Sequence, residues 1–250
     1  MNKKIGIFSC VSDFEKFGIL KNSLQLINNS SLVPINNTYD NFSIPFVFNH
    51  ATNTSSFDIL IFVHQDVIFP ENWLRYTVKQ IEHVEVQDSA WGVVGIMGVK
   101  KNGFFAGNII DPHTKTKMGN LPCEVVALDE VCLILRKDAN LLFDESLGGF
   151  HFYGADICLQ ATQKEMKCYA IDAPLIHLSG GKLDRSFWEM AKKLKEKWST
   201  IPYSPNVIET TCGVFRLKNT FWSVIEYTFK VLRRKGIRRI QNRHMRISSV

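Results

Sequence analysis

Short apolar runs alternate along the chain with segments whose apolar residues recur every three or four positions. Residues 4–10 form a brief β-branched run that ends in small polar residues, the pattern of a buried strand entering a loop. Phe14, Phe17, Leu20, Leu24 and Ile27 then keep helical spacing, and Asn28, Asn29, Ser30 and Ser31 close that helix. Residues 32–35 predict a second short strand. Residues 36–56, rich in Asn, Ser and Thr, predict a loop with at most one short element. The strongest strand is 57–63. It is apolar at consecutive positions, which predicts cover on both faces and a place at the centre of a parallel sheet.

The second half repeats the alternation. A helix is predicted over 72–83, a buried strand over 91–99, a glycine-bearing hairpin or loop over 103–119 and another strand over 123–136. A helix over 155–165, strands at 168–171 and 174–178, and a lysine-studded helix over 186–198 follow. The Pro202-Tyr203-Ser204-Pro205 stretch marks a boundary. The pattern therefore predicts an α/β catalytic domain over 1–200 and a C-terminal helical appendage over 201–250, with an amphipathic helix from about 221 to 239. His64, Gln65 and Asp66 close the strongest strand. That is the carboxyl end, where open α/β sheets collect their ligands.

Composition narrows the picture only in places. The six cysteines stand singly with no Cys-x-x-Cys pair, and several lie within apolar runs, so reduced, buried thiols are expected. No run approaches the ~20 apolar residues of a membrane span, and the apolar run after Lys3 and Lys4 is too short for a secretory signal. A cytoplasmic location is the expectation. The net charge of +6 comes from the end of the chain, where eight Lys and Arg residues lie between 230 and 246 with no acid among them. A basic helix that also carries Phe221, Trp222, Ile225, Tyr227 and Phe229 can lie peripherally on the anionic inner face of the cell membrane. Alternatively, it can pack its apolar side on the catalytic domain and leave its charges solvated. No nucleic-acid motif accompanies it.

Several blocks together carry a resemblance. They are Phe57-Asp-Ile-Leu-Ile-Phe-Val-His-Gln-Asp-Val67 with Trp73, Val126-Ala-Leu-Asp-Glu-Val-Cys-Leu-Ile-Leu-Arg136, Phe143-Asp-Glu145, Gly149-Phe-His-Phe-Tyr-Gly-Ala-Asp-Ile-Cys-Leu159 and Leu175-Ile-His-Leu178. In order and spacing they resemble a bacterial branch of the family 2-like, GT-A-fold glycosyltransferases, with His-Gln-Asp where most relatives carry Asp-x-Asp. The resemblance implies a Rossmann-like mixed sheet flanked by helices. It also implies an inverting, metal-dependent hexosyl transfer from a nucleotide sugar, a UDP-sugar first, to a glycan, lipid-linked or protein-linked acceptor in surface polysaccharide synthesis.

The same resemblance assigns residues. Asp66 and His177 hold the metal and His64 flanks it; Mn2+ suits mixed nitrogen and oxygen ligands better than Mg2+. Such a cation neutralises the charge that grows on the diphosphate as the glycosidic bond breaks. Ser9, Cys10 and Val11 are expected to hold the nucleobase and ribose, with Asn53 contributing. Trp91, Phe104 and Phe105 are candidate stacking residues, and Gly180-Gly181-Lys182 could meet the diphosphate. The family's Glu-Asp pair is replaced by Tyr153-Gly154, which leaves Asp156 as the expected base, with Asp129, Glu130, Asp144 and Glu145 as the other nearby carboxylates. Asp144-Glu145 also reads as turn chemistry, and His64-Asp66 as a helix cap. Two alternatives stay open: a GT-A-fold sugar-nucleotide-binding protein without catalysis, and a nucleotidyltransferase, although residues 7–13 lack the glycine-rich basic signature of the latter.

Overall fold

The computed structural model describes residues 3–112, 115–180 and 183–247, with side chains described as far as residue 237 except those of 115 and 116. In chain order the first elements are β1 (Ile5–Val11), α1 (Phe14–Ser23), β2 (Ser30–Asn36), α2 (Ile44–Thr54), β3 (Ile59–Val63), β4 (Val67–Ile68) and α3 (Trp73–Gln87). Next come β5 (Val93–Gly95), β6 (Met97–Val99), β7 (Phe105–Ile110), β8 (Lys115–Met118), β9 (Cys123–Val125), β10 (Ala127–Leu128) and β11 (Cys132–Arg136). The remainder is α4 (Tyr153–Gln163), β12 (Cys168–Ala170), β13 (Leu175–His177), α5 (Arg185–Thr200), β14 (Val207–Glu209), β15 (Val214–Arg216) and α6 (Phe221–Ile247).

A seven-stranded sheet in the order β2-β1-β3-β11-β5-β12-β9 forms the centre. β1 runs parallel to β2 and β3, whereas β11 lies antiparallel to both β3 and β5. The sheet is therefore mixed, and β3 sits at its parallel-to-antiparallel junction rather than within a parallel array. Its continuous apolar run is explained by cover on both faces. Ile59, Ile61 and Val63 enter one core with α1 and α3, and Leu60 and Phe62 enter another with α2 and α4. Each such fully buried side chain contributes about 1.5–3 kcal/mol.

Two expected strands are broken. The run 91–99 divides at Ile96 into β5 of the large sheet and β6 of a second sheet, ordered β10-β6-β7-β13-β4 with β8 beside β7. The run 123–136 likewise divides into β9, β10 and β11. Gly107 permits the first break: its φ is +145°, and a Cβ there would lie 2.2 Å from the Ile96 carbonyl oxygen. The 36–56 segment holds a full helix, α2, capped by Ser43 and burying Ile44, Val47, Phe48 and Ala51 at helical spacing. All six cysteines are free thiols, four of them buried.

Beyond residue 200, β14 and β15 form a hairpin that shares a core with α4 and α5 through Ile208, Phe215, Leu217 and Trp198. α6 lies beside it in the opposite sense from the packing alternative read in the sequence. Arg234 is buried, and Lys230 and Arg233 are half-buried toward the hairpin. Phe221, Trp222, Val224, Ile225, Phe229 and Leu232 are exposed. Among the described residues no helix is long and apolar enough to cross a membrane.

Candidate active site

The carboxyl end of β3 leads directly into His64, whose backbone N–H donates to the Val131 carbonyl at the start of β11 (3.1 Å). Three residues later, β4 pairs with β13 so that His177 stands opposite Val67, and the Leu178 N–H donates to the Asp66 carbonyl (2.9 Å). This ladder brings a histidine more than a hundred residues away onto the His-Gln-Asp turn. His64 Nδ1 lies 3.4 Å from His177 Nε2. His177 Nε2 in turn lies 3.4 Å from Asp66 Oδ1. One ligand atom from each residue falls within 4.8 Å of the others.

His64 Nε2 lies 3.1 Å from the hydroxyl of Tyr153 at the start of α4, and that hydroxyl also lies 3.3 Å from the Glu130 carbonyl. Nδ1 therefore faces His177 and Asp66, and a cation bound there requires the tautomer with its proton on Nε2. Burial, reinforced by the His177 charge and opposed by Asp66 and Asp129, pushes His64 down to about 4, so the ring is neutral near pH 7. Burial alone would raise the Asp66 carboxyl. Hydrogen bonds from His177 and Ser179, with the histidine charges, hold it well below the ordinary carboxylate range instead. Two imidazoles and one ionised carboxylate, partly buried and converging, fit a divalent cation.

Gln65, the middle residue of the turn, reaches the other way. Its Oε1 accepts from the Ser12 and Asp13 N–H groups (2.9 Å each), and its Nε2 donates to Ser12 Oγ (2.8 Å). The loop after β1 is thereby tied to the candidate metal turn. Ser9, Cys10 and Val11 lie just before it as the last residues of β1. All three are buried, and the Ser9 hydroxyl has no hydrogen-bond partner among the described residues. Ser12 and Asp13, not these three, form the loop that reaches the site.

Several expected site residues lie elsewhere. Asn53 is exposed near the end of α2, ahead of β3, and so at the amino end of that strand, opposite His64. Trp91 is fully buried, with Arg136 5.8 Å over its ring, and presents no face for stacking. Phe104 and Phe105 are half-buried, and Phe105 is covered by Arg234 at 5.0 Å. Gly180 is exposed, while Gly181 and Lys182 fall outside the described residues.

Asp156 lies apart from the His64–Asp66–His177 cluster, between two helices. Its carboxylate has no exposed surface and takes hydrogen bonds from Trp198 Nε1 (2.7 Å), Gln160 (2.7 Å) and Lys197 (2.9 Å). Lys197 also pairs with Asp144 (2.7 Å). The group joins α4 to α5 and is not presented to an incoming hydroxyl. Asp144 caps its own turn through Ser146, and Glu145 accepts from Asn49, as turn chemistry requires.

Asp129 and Glu130, at the β10–β11 connection, are the carboxylates on the His64 side of the cluster. Both are half-buried. The Asp129 charge acts on His64, and burial together with Asp129 pushes Glu130 up to about 8. Glu130 also accepts from the Gly154 N–H at the uncapped start of α4 (3.3 Å). Gly154 is required there, because a Cβ would lie 2.7 Å from the Leu128 carbonyl oxygen.

Residues 8–196 match the glycosyltransferase-like family. The chain belongs to that family. Its fold is the GT-A fold: it is similar to S. aureus TarS residues 1–349, with a TM-score of 0.52 at 12% identity over 80% of this chain and 67% of that one. It is similar also to GalNAc-T7, solved with UDP, GalNAc and Mn2+, with a TM-score of 0.51 at 9% identity over 79% of this chain and 48% of that one. TarS 1-349 has also been solved in complex with UDP. Among curated proteins, the ATP synthase subunits region ORF 6 product of Fuscovulum blasticum is 31% identical over 148 residues, 56% of this chain and 59% of its own length. This glycosyltransferase-like chain thus keeps the sheet of its relatives and carries a histidine-rich cluster at the carboxyl end of β3.

Proposed function

We propose that this glycosyltransferase moves a hexose, with inversion, from a UDP-sugar to a glycan, lipid-linked or protein-linked hydroxyl in surface-glycan synthesis. The observation that carries the reading is the His64–Asp66–His177 cluster at the carboxyl end of β3, in a chain of this family. The UDP and Mn2+ of the structural neighbours support a UDP-sugar and a divalent cation, Mn2+ before Mg2+. His64 Nδ1, Asp66 and His177 Nε2 would hold that cation, which when bound supplies positive charge against the departing diphosphate.

The chain's own groups do the rest. The loop of Ser12 and Asp13, fastened by Gln65, borders the donor. Asp129 accepts the proton of the acceptor hydroxyl as its oxygen bonds to the anomeric carbon and the electron pair of the broken glycosidic bond leaves on the diphosphate. Asp129 takes this role in place of Asp156 because it is only half-buried and its charge acts on His64. The outward apolar face of α6 supports peripheral contact with an anionic membrane, which suits a lipid-linked acceptor.

A thermal-shift panel of nucleotides and UDP-sugars, with and without Mn2+, followed by turnover assays, tests the reading. Stabilisation by UDP compounds that grows with Mn2+ and disappears in Asp66→Asn is the expected result. No shift with any nucleotide would sink it. Binding without turnover would favour a sugar-nucleotide-binding protein, which the missing acids at 153 and 154 keep as the second reading.

A further inference from the structure

The β14–β15 turn lies against the catalytic loop. Thr211 Oγ1 donates to Asp129 Oδ2 over 2.7 Å, a link across 82 residues. The other oxygen, Oδ1, accepts from the Val131 N–H (3.2 Å), and the Asp129 N–H is anchored on the Met97 carbonyl (2.8 Å). A carboxylate gripped at both oxygens cannot rotate freely, yet each oxygen keeps a second lone pair. Thr211 and Asp129 are both half-buried, so the pair stands at the edge of the solvent through which an acceptor must come.

The turn is itself firmly held. Arg234, 6% exposed, donates Nη1 to the carbonyls of Thr210 (2.6 Å) and Gly213 (3.3 Å) and Nη2 to that of Thr211 (2.6 Å). The Thr210 N–H closes the hairpin on Gly213 (2.8 Å). Arg233 pairs with Glu209 in the preceding strand. Arg233 and Arg234 therefore act inside the molecule, fixing the backbone that carries Thr211. Phe215, on the same hairpin, packs against Phe187, which also touches His151 just before α4.

We infer that the 210–213 turn forms the acceptor-side wall of the site, and that Thr211 is a positioning residue that aims the Asp129 carboxylate at the acceptor hydroxyl. This rests on the transferase reading above. The ligand class at the wall is a hydroxyl-bearing acceptor, with water as its smallest member.

The test uses the full chain with Mn2+ and a panel of UDP-sugars. It measures release of UDP with water as acceptor and, separately, UDP binding by calorimetry. Thr211→Val should lower kcat about 10- to 100-fold, with KM for the UDP-sugar and UDP affinity unchanged, and Thr211→Ser should restore kcat. Wild-type turnover with an undiminished kcat in Thr211→Val overturns the positioning role alone. Weakened UDP binding in that variant also overturns it, by moving Thr211 to the donor side. Wild-type protein that binds no UDP or turns over no UDP-sugar overturns the transferase reading, and the inference with it.

Discussion

Tyr153 stands between His64 Nε2 and the Glu130 carbonyl and holds the imidazole with Nδ1 toward the cluster. Tyr153→Phe should therefore weaken Mn2+ binding by about 10- to 100-fold, the usual cost of losing a group that orients a metal ligand. Titration calorimetry on the folded variant reads it, and an unchanged affinity would detach Tyr153 from the site. Glu130 makes a second prediction at this scale. Its folded value of about 8 lies above its ordinary value of 4.5, so the folded chain holds the proton more tightly than the unfolded chain between those limits. The contribution to stability is fully present below pH 4.5 and is lost as pH rises through 8. Urea unfolding across that window should show a shallower loss with rising pH in Glu130→Gln than in wild type. Parallel slopes would contradict the burial argument. His64 and Asp66 were legible in the sequence from their place at the carboxyl end of the strongest strand, and His177 through the family resemblance of its block. Tyr153, Gln65, Ser179 and Thr211 were not, since their partners are chosen by packing between distant segments.

At the scale of elements, Asp156 links two helices. With no exposed surface, the carboxylate is balanced by Lys197 and two neutral donors, and α5 depends on it for the Trp198 end of its buried stripe. Asp156→Ala should cost about 1–3 kcal/mol, the cost of leaving the buried Trp198 N–H without its acceptor while Lys197 keeps Asp144. Chemical denaturation would measure that loss, and activity per folded molecule should stay near wild type. A stable but inactive variant would return the residue to catalysis. The sequence placed Asp156 correctly near the start of a helix, but it could not show that α5 would close over it. α2 illustrates the opposite difficulty. Its apolar spacing at 44, 47, 48 and 51 was present in the sequence, yet its Asn and Thr content pointed to a loop, and burial against β1 and β3 outweighed that propensity. The strands after residue 90 were recognised as runs but not as breaks, because a strand passing from one sheet to another keeps its apolar character throughout.

For the molecule as a whole, α6 is amphipathic in a reversed sense: Lys230, Arg233 and Arg234 turn inward, while Lys235 and the aromatic side face outward. Vesicle flotation should show the protein rising with anionic liposomes and not with zwitterionic ones. Replacing Phe221, Trp222 and Phe229 by Ser should abolish the association, while UDP binding persists. Equal flotation of the triple variant would remove the membrane from the picture. The appendage itself was legible as a basic helix, but its orientation was not, because the hairpin carbonyls that attract Arg234 are backbone groups invisible to any pattern of side chains.

The inward-facing charges of α6 also bear on where the chain can be cut. A protein ending after residue 220 would strand Glu209, 2% exposed, without its arginine, and would leave the carbonyls of Thr210, Thr211 and Gly213 without the guanidinium that gathers them. Such a truncation should produce a frayed hairpin, read as rapid amide exchange across 207–216. The stretch of α6 that carries Arg233 and Arg234 would then be a fastening that the protein cannot lose, rather than a tail trimmed for convenience.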